Sequence, residues 1–154
     1  IVFTPEAPGK VILKELAAGE SLICQKDAFM VAQSSVKLEI YFQKKLGAGL
    51  FGGERFILQK ETGPGAMFRE IPADKRTYTL QPNETLRVAP GHIAMFEPSV
   101  SYDIEMVKGV SNVLFGGEGL FLANLRGPGT VWLQSMPISN LARKLAKYIP
   151  TKSS

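Results

Sequence analysis

Cys24 and His92 are the sole cysteine and the sole histidine among 154 residues. A thiol nucleophile needs an imidazole within hydrogen-bond reach to take its proton, so the first chemical question is whether the fold joins this pair. Cys24 sits in the apolar string "LICQ" (22–25), where cysteine behaves as a small hydrophobe. A dyad is therefore not expected. One histidine also argues against a multi-histidine metal centre, because imidazole is the usual anchor of such metals. Glu54 and Glu118 each close the identical string Leu-Phe-Gly-Gly-Glu, at 50–54 and 114–118. Two facing carboxylates can move protons or hold a cation. An acid beside a turn more commonly accepts from backbone amides, and that role is expected for both. "GAGLFG" (47–52) fits G-x-G-x-x-G, a pattern that holds a pyrophosphate only where a strand passes into a helix. Here a strand-like segment follows, at 55–59, so the glycines read as a flexible hairpin tip. Around that tip stand Lys44, Lys45, Leu46 and Leu50, and in the equivalent later loop Lys108, Val110, Val113 and Leu114. Such loops either fold over a sheet edge or touch a membrane or another subunit. Trp132, the single tryptophan, reads as core or interface anchor; a stacking surface for RNA would need several aromatics with basic residues between them. These residues assign no catalytic, cofactor-binding or metal site and no cofactor, and the chain is expected not to be an enzyme.

The elements that carry these residues come twice. A shift of 64 takes Leu50 onto Leu114, Gly63-Pro64-Gly65 onto Gly127-Pro128-Gly129, and Leu16, Glu20 and Leu22 onto Leu80, Glu84 and Leu86, with no gap. Self-similarity of this length decides the fold. Val36, Leu38, Ile40 and Phe42 alternate with polar residues, as do Val100, Tyr102, Ile104 and Met106, the period of strands with one dry face. One unit has an apolar face and nothing to cover it; two can cover each other. The expected fold is all-β: a pseudo-twofold β-sandwich or short barrel whose inner faces share one core, built from tandem repeats at about 14–70 and 78–134 within a single domain, 1–154. "APGKVI" (7–12) resembles "GPGAMF" (63–68) and reads as the end of an earlier unit; with no initiator methionine, the sequence reads as a fragment.

One helix is expected, at about 139–149. Ile138, Leu141, Leu145 and Ile149 fall at helical spacing, with Ser139 to cap the start and Pro150 to stop it. All 14 acids precede residue 135, and the net charge of +4 equals the four basic residues Arg143, Lys144, Lys147 and Lys152 of the tail. This helix is expected to dock its Leu141–Leu145 stripe on the body or a neighbouring subunit; the alternative is a membrane surface. The body lacks the net basic excess of a sequence-independent nucleic-acid binder. A lone cysteine allows no intrachain disulfide and suits a reducing compartment. The sequon Asn83-Glu84-Thr85 stands without a secretory signal and reads as incidental.

The string "FGGEGLFLANLRGPGTVWLQSMP" (115–137) resembles the altered-inheritance-of-mitochondria family, number twenty-four of that series, long described as a domain of unknown function. Leu13 to Gln33 and Leu80 to Ile104 are similar to it as well. The resemblance implies a fold similar to the tryptophan RNA-binding attenuation protein, a β-sandwich with internal repeats. Fungal members are mitochondrial and linked to inner-membrane organisation and respiratory-complex assembly; prokaryotic members are mostly uncharacterised. No catalytic residues are established there, so none carry over. Members usually have a further N-terminal β segment, absent here, and the first copy has Arg55 where the second has Gly119. The expected function is a non-enzymatic β-repeat scaffold or assembly protein: homo-oligomeric, with its C-terminal helix and glycine-rich loops offered to partner proteins or a membrane, and cytoplasmic in a prokaryote or mitochondrial in a fungus. The alternatives are RNA binding, by fold analogy alone, and a small-molecule pocket between the repeats.

Overall fold

The computed structural model describes Val2, Thr4, Pro5 and residues 7–45, 55–107 and 120–149. The repeated Leu-Phe-Gly-Gly-Glu strings, Glu54, Glu118, Gly47–Gly52 and the loop residues around them lie outside the described residues, except Lys44 and Lys45 at a strand end.

The first repeat runs β1 (Gly9–Leu16), β2 (Ser21–Gln25), β3 (Phe29–Ala32), β4 (Lys37–Lys45), β5 (Arg55–Thr62) and β6 (Gly65–Pro72). Its counterparts 64 residues later are β7 (Lys75–Leu80), β8 (Thr85–Val88), β9 (Ile93–Phe96), β10 (Ser101–Val107), β11 (Leu120–Arg126) and β12 (Gly129–Gln134), followed by α1 (Ile138–Ala146). A 3-10 turn precedes β3 (Lys26–Ala28) and another precedes β9 (Pro90–His92).

The register of the repeat is fixed at its turns. In the first repeat the amide of Ala17 donates to Glu20 Oε2 at 2.9 Å, and in the second the amide of Gln81 donates to Glu84 Oε2 at 2.8 Å. Gly19 and Asn83 occupy the left-handed region there, at φ 80° and 69°, a conformation open to glycine and tolerated by asparagine. The Gly-Pro-Gly triplets explain themselves equally well. Gly65 and Gly129 have φ of 146° and 140°, and a Cβ at either would lie 2.8 Å from Ser35 Oγ or 2.5 Å from Ser99 Oγ. Both Gly-Pro bonds, 63–64 and 127–128, are cis.

Among the described residues the strands form three antiparallel sheets and no closed barrel. One sheet has the order β1-β6-β3, one β10-β11-β8, and a six-stranded sheet runs β4-β5-β2-β9-β12-β7. The six-stranded sheet takes its first three strands from repeat one and its last three from repeat two. It is joined at Ile23↔Phe96 and Cys24↔Met95.

The expectation of one shared core is corrected. In β2, alternate side chains point to opposite faces. Leu22 and Cys24 join Leu16, Met67, Ile71, Ala94 and Met95 in one cluster. Ile23 joins Phe56, Leu58, Phe96, Val100, Ile104, Leu125 and Val131 in another. The two three-stranded sheets thus cover opposite faces of the six-stranded one. With both faces buried, β2 and β9 carry the unbroken apolar runs "LIC" and "IAMF". Each fully buried Leu, Ile or Phe adds about 1.5–3 kcal/mol.

A second correction concerns β4. Its pairing with β5 slips between Ile40 and Phe42, where Leu38, Ile40 and Phe42 oppose Glu61, Gln59 and Leu58. The extra residue, Tyr41, moves the following side chains to the other face. Phe42 packs edge-on to Tyr102 with centroids 5.0 Å apart, while Ile40 stays 66% exposed. Its counterpart Ile104, on the unbulged β10, is buried.

Candidate functional site

Three places in the fold gather polar or unpartnered side chains. The first lies between β1-β6-β3 and the six-stranded sheet. Arg69 on β6 and Glu61 on β5 are both fully buried, and Arg69 Nε donates to Glu61 Oε2 at 3.0 Å. Arg69 Nη2 and Glu61 Oε1 close the second arm of a fork-to-fork pair. Burial pushes the guanidinium below its ordinary value. Cys24 is beside it: burial raises the thiol's pKa, and the arginine draws it partly back. A thiol so held is a poor nucleophile.

Polar contacts continue from this pair toward the surface. Gln134 Nε2 donates to Gln25 Oε1 at 3.1 Å and to the Gly91 carbonyl at 2.7 Å. His92 Nδ1 bonds the Gln134 carbonyl at 2.9 Å, and Asn140 of α1 lies 3.4 Å from His92 Nε2. His92 is therefore engaged by β12 and the helix, and the structure does not bring it to Cys24. The arrangement ties repeat one, repeat two and the helix together and leaves no paired nucleophile and base.

The second place is an open cleft of about 470 Å³ where the repeats meet, lined among others by Lys14, Lys60, Glu20, Glu97 and Trp132. Its acids are occupied by backbone: Glu20 as described above, and Glu97 by the amide of Thr130 at 2.7 Å. Two ammonium groups and an indole remain, a set that suits an anion with an apolar part. Trp132 thus sits at the inter-repeat junction, packed on the Leu22–Met95 cluster. Among the described residues no group of histidine, cysteine and acids is placed to hold a metal ion.

The third place is α1. It begins one residue earlier than its expected start and ends at Ala146. Pro137 takes the N-cap position with no side-chain cap bond, so Ser139 is inside the helix and is not its cap. None of the helix residues is buried. Leu141 is half-buried and Asn140 meets His92, whereas Leu145 is 50% and Ile149 63% exposed, so the stripe meets the body at its first turn only and stays open beyond it. Arg143, Lys144 and Lys147 follow the same stretch of chain. No described helix is long and apolar enough to cross a membrane.

Sequence reasoning missed Glu61, Arg69, Gln25 and Gln134. The signal was present in the shift of 64, which sets Leu125, Leu133 and Ala89 opposite the first three: charge or amide in one repeat, hydrocarbon in the other.

The profile described as mitochondrial biogenesis AIM24 matches residues 1–136. The chain belongs to the AIM24 family. An uncharacterised protein of Streptococcus pyogenes serotype M6 is 28% identical to this AIM24 member over 156 residues, which is 99% of this chain and 60% of that protein. The crystal structure of Streptococcus pyogenes protein SPYM3_0169, a structural genomics target, shares the fold with a TM-score of 0.73 at 22% identity, across 94% of this chain and 62% of that one. The chain thus spans about 60% of the length of the relatives it matches.

Proposed function

We propose that this AIM24 member is a non-enzymatic assembly module that self-associates and attaches to an anionic membrane surface through α1. The observation that carries the reading is the helix and the turn after it: Ile138, Leu145 and Ile149 are exposed and Leu141 is half-buried, beside the four basic residues that equal the net charge of the chain. A basic amphipathic helix binds a lipid interface by its buried apolar area plus attraction to acidic headgroups. Nine residues give a weak single anchor, and several copies in one assembly convert it into a firm one. In a bacterium, such as the sources of the relatives above, that surface would be the cytoplasmic leaflet.

Co-sedimentation with vesicles tests this. Phosphatidylglycerol-containing vesicles should retain the protein at low salt and release it as salt rises. Neutral phosphatidylcholine vesicles should not retain it, and Leu145→Asp/Ile149→Asp should abolish retention. Equal binding to neutral vesicles, or retention by the double variant, sinks the reading. The cleft between the repeats supports a second reading, a site for a small anionic ligand, because Lys14 and Lys60 flank Trp132 there. Quenching of the single tryptophan's emission by an anionic compound, lost in Lys14→Ala/Lys60→Ala, would favour it.

A further inference from the structure

The β2–β9 junction that joins the repeats inside the six-stranded sheet exists in the chain a second time, in two unjoined halves. Shifted by 64, β2 becomes β8 and β9 becomes β3. Yet β8 is an edge of the β10-β11-β8 sheet and β3 an edge of the β1-β6-β3 sheet. These sheets cover opposite faces of the six-stranded sheet, so among the described residues the second junction is not closed.

The side chains match as well as the strands. The made junction is lined by Leu16, Leu22, Cys24 and Met67 from repeat one and by Ala94, Met95 and Trp132 from repeat two. Their counterparts on the β8 side are Leu80, Leu86, Val88 and Val131, and on the β3 side Met30, Val31 and Phe68. All seven are apolar; the counterpart of Ile71, the remaining buried member of that lining, is Ser135, and Leu80 and Val131 are already buried in their own chain, which leaves Leu86 and Val88 as the partly covered residues on the β8 side. Exposure separates the two cases: β2 and β9 are buried almost throughout, whereas β8 alternates exposed and half-buried residues, β3 is half-buried along its length, and Phe68 is 41% exposed on the outer face of its sheet. Leu13, directly across from Phe68 on β1, is exposed too. An unpaired strand edge beside an uncovered apolar face is a template for another strand.

We propose that the β8 edge of one copy pairs antiparallel with the β3 edge of a second copy, in the register Arg87↔Ala32 and Val88↔Val31 that the internal Ile23↔Phe96 and Cys24↔Met95 pairs dictate. Phe68, Met30 and Val31 of the second copy then cover Leu86 and Val88 of the first. The contact is head-to-tail: each copy uses a different surface at each end, and the assembly is a ring where the rotation closes and a filament where it does not. It supplies the self-association that the proposed assembly role rests on, while being independent of the helix.

Cysteine pairing reads the register directly, since facing residues of antiparallel strands lie within disulfide reach and the native Cys24 is buried. Under mild oxidation Val31→Cys alone and Val88→Cys alone should stay uncrosslinked. Their 1:1 mixture should give a covalent dimer, and the double variant a ladder of higher species. Sedimentation of the unmodified chain should show mass rising with concentration, and Phe68→Asp, at an exposed site, should reduce it to a monomer with an unchanged melting curve. A dimer from either single cysteine variant, no crosslink in the mixture, or an unmodified chain that stays monomeric at high concentration would overturn the proposal, the last including the case in which further residues of a longer chain occupy these edges. Vesicle binding by such a monomer would leave the membrane reading standing; assembly without vesicle binding would do the reverse.

Discussion

The two repeats keep the same turns and fill their interiors differently. Glu20 and Glu84 hold equivalent amides, Gly65 and Gly129 pass equally close to a serine hydroxyl, and the strands fall in the same order. Between the sheets, however, repeat one places Glu61 and Arg69 where repeat two places Leu125 and Leu133. Backbone geometry in this fold thus depends on a few turn residues, and the space they enclose accepts either a fully bonded ion pair or hydrocarbon. Buried pairs of this kind can be replaced by apolar residues of similar size without loss of stability, and the leucines of repeat two fill the equivalent positions.

The sharpest way to break the comparison is to remove one partner. Arg69→Leu strands a buried carboxylate and should cost about 3–5 kcal/mol in urea unfolding. Making both positions resemble repeat two, Glu61→Leu/Arg69→Leu, should return stability to within about 1 kcal/mol of the parent or exceed it. A double variant as unstable as the single would show that the pair specifies the first repeat's packing. Next in size, Gly65→Ala and Gly129→Ala should each lose about 1–3 kcal/mol, Gly129 the more, since its Cβ meets Ser99 Oγ at 2.5 Å against 2.8 Å at Gly65. Glu20→Ala and Glu84→Ala should each lose about 0.5–1.5 kcal/mol in thermal unfolding; a marked inequality would mean that the two turns differ in role. The smallest effect concerns Lys10 and Asp74, which occupy the same repeat position and bond each other at 2.9 Å. That hydrogen bond, and then the ammonium charge, lowers the Asp74 carboxyl pKa. Its contribution is present above the ordinary carboxylate range and fades as pH falls through the lowered value. NMR titration should find the midpoint below normal, and Lys10→Ala should bring it back up.

How far the sequence foretold this can be judged at particular residues. The Gly-Pro-Gly triplets and the shift of 64 made the all-β repeat legible, because glycine at positive φ and proline leave marks no packing can override. Leu38 and Ile40 were read as inward because period two assumes an unbroken ladder, and the bulge at Tyr41 is invisible without the partner strand. Glu61 and Arg69 were passed over for a related reason: a charged residue in a strand is read as facing water, which fails on a sheet covered on both sides. The helix was legible as an amphipathic element, but how much of its stripe meets the body is set by tertiary placement, which leaves Leu141 half-buried and Leu145 exposed.

The strand exchange at Ile23↔Phe96 and Cys24↔Met95 has one more result. Neither duplicated half owns a finished interior, so severing the chain between β6 and β7 should leave two pieces with bared apolar faces and no pair of small stable proteins. Melting of the molecule should accordingly be one all-or-none event in calorimetry, with no shoulder for an independently surviving half.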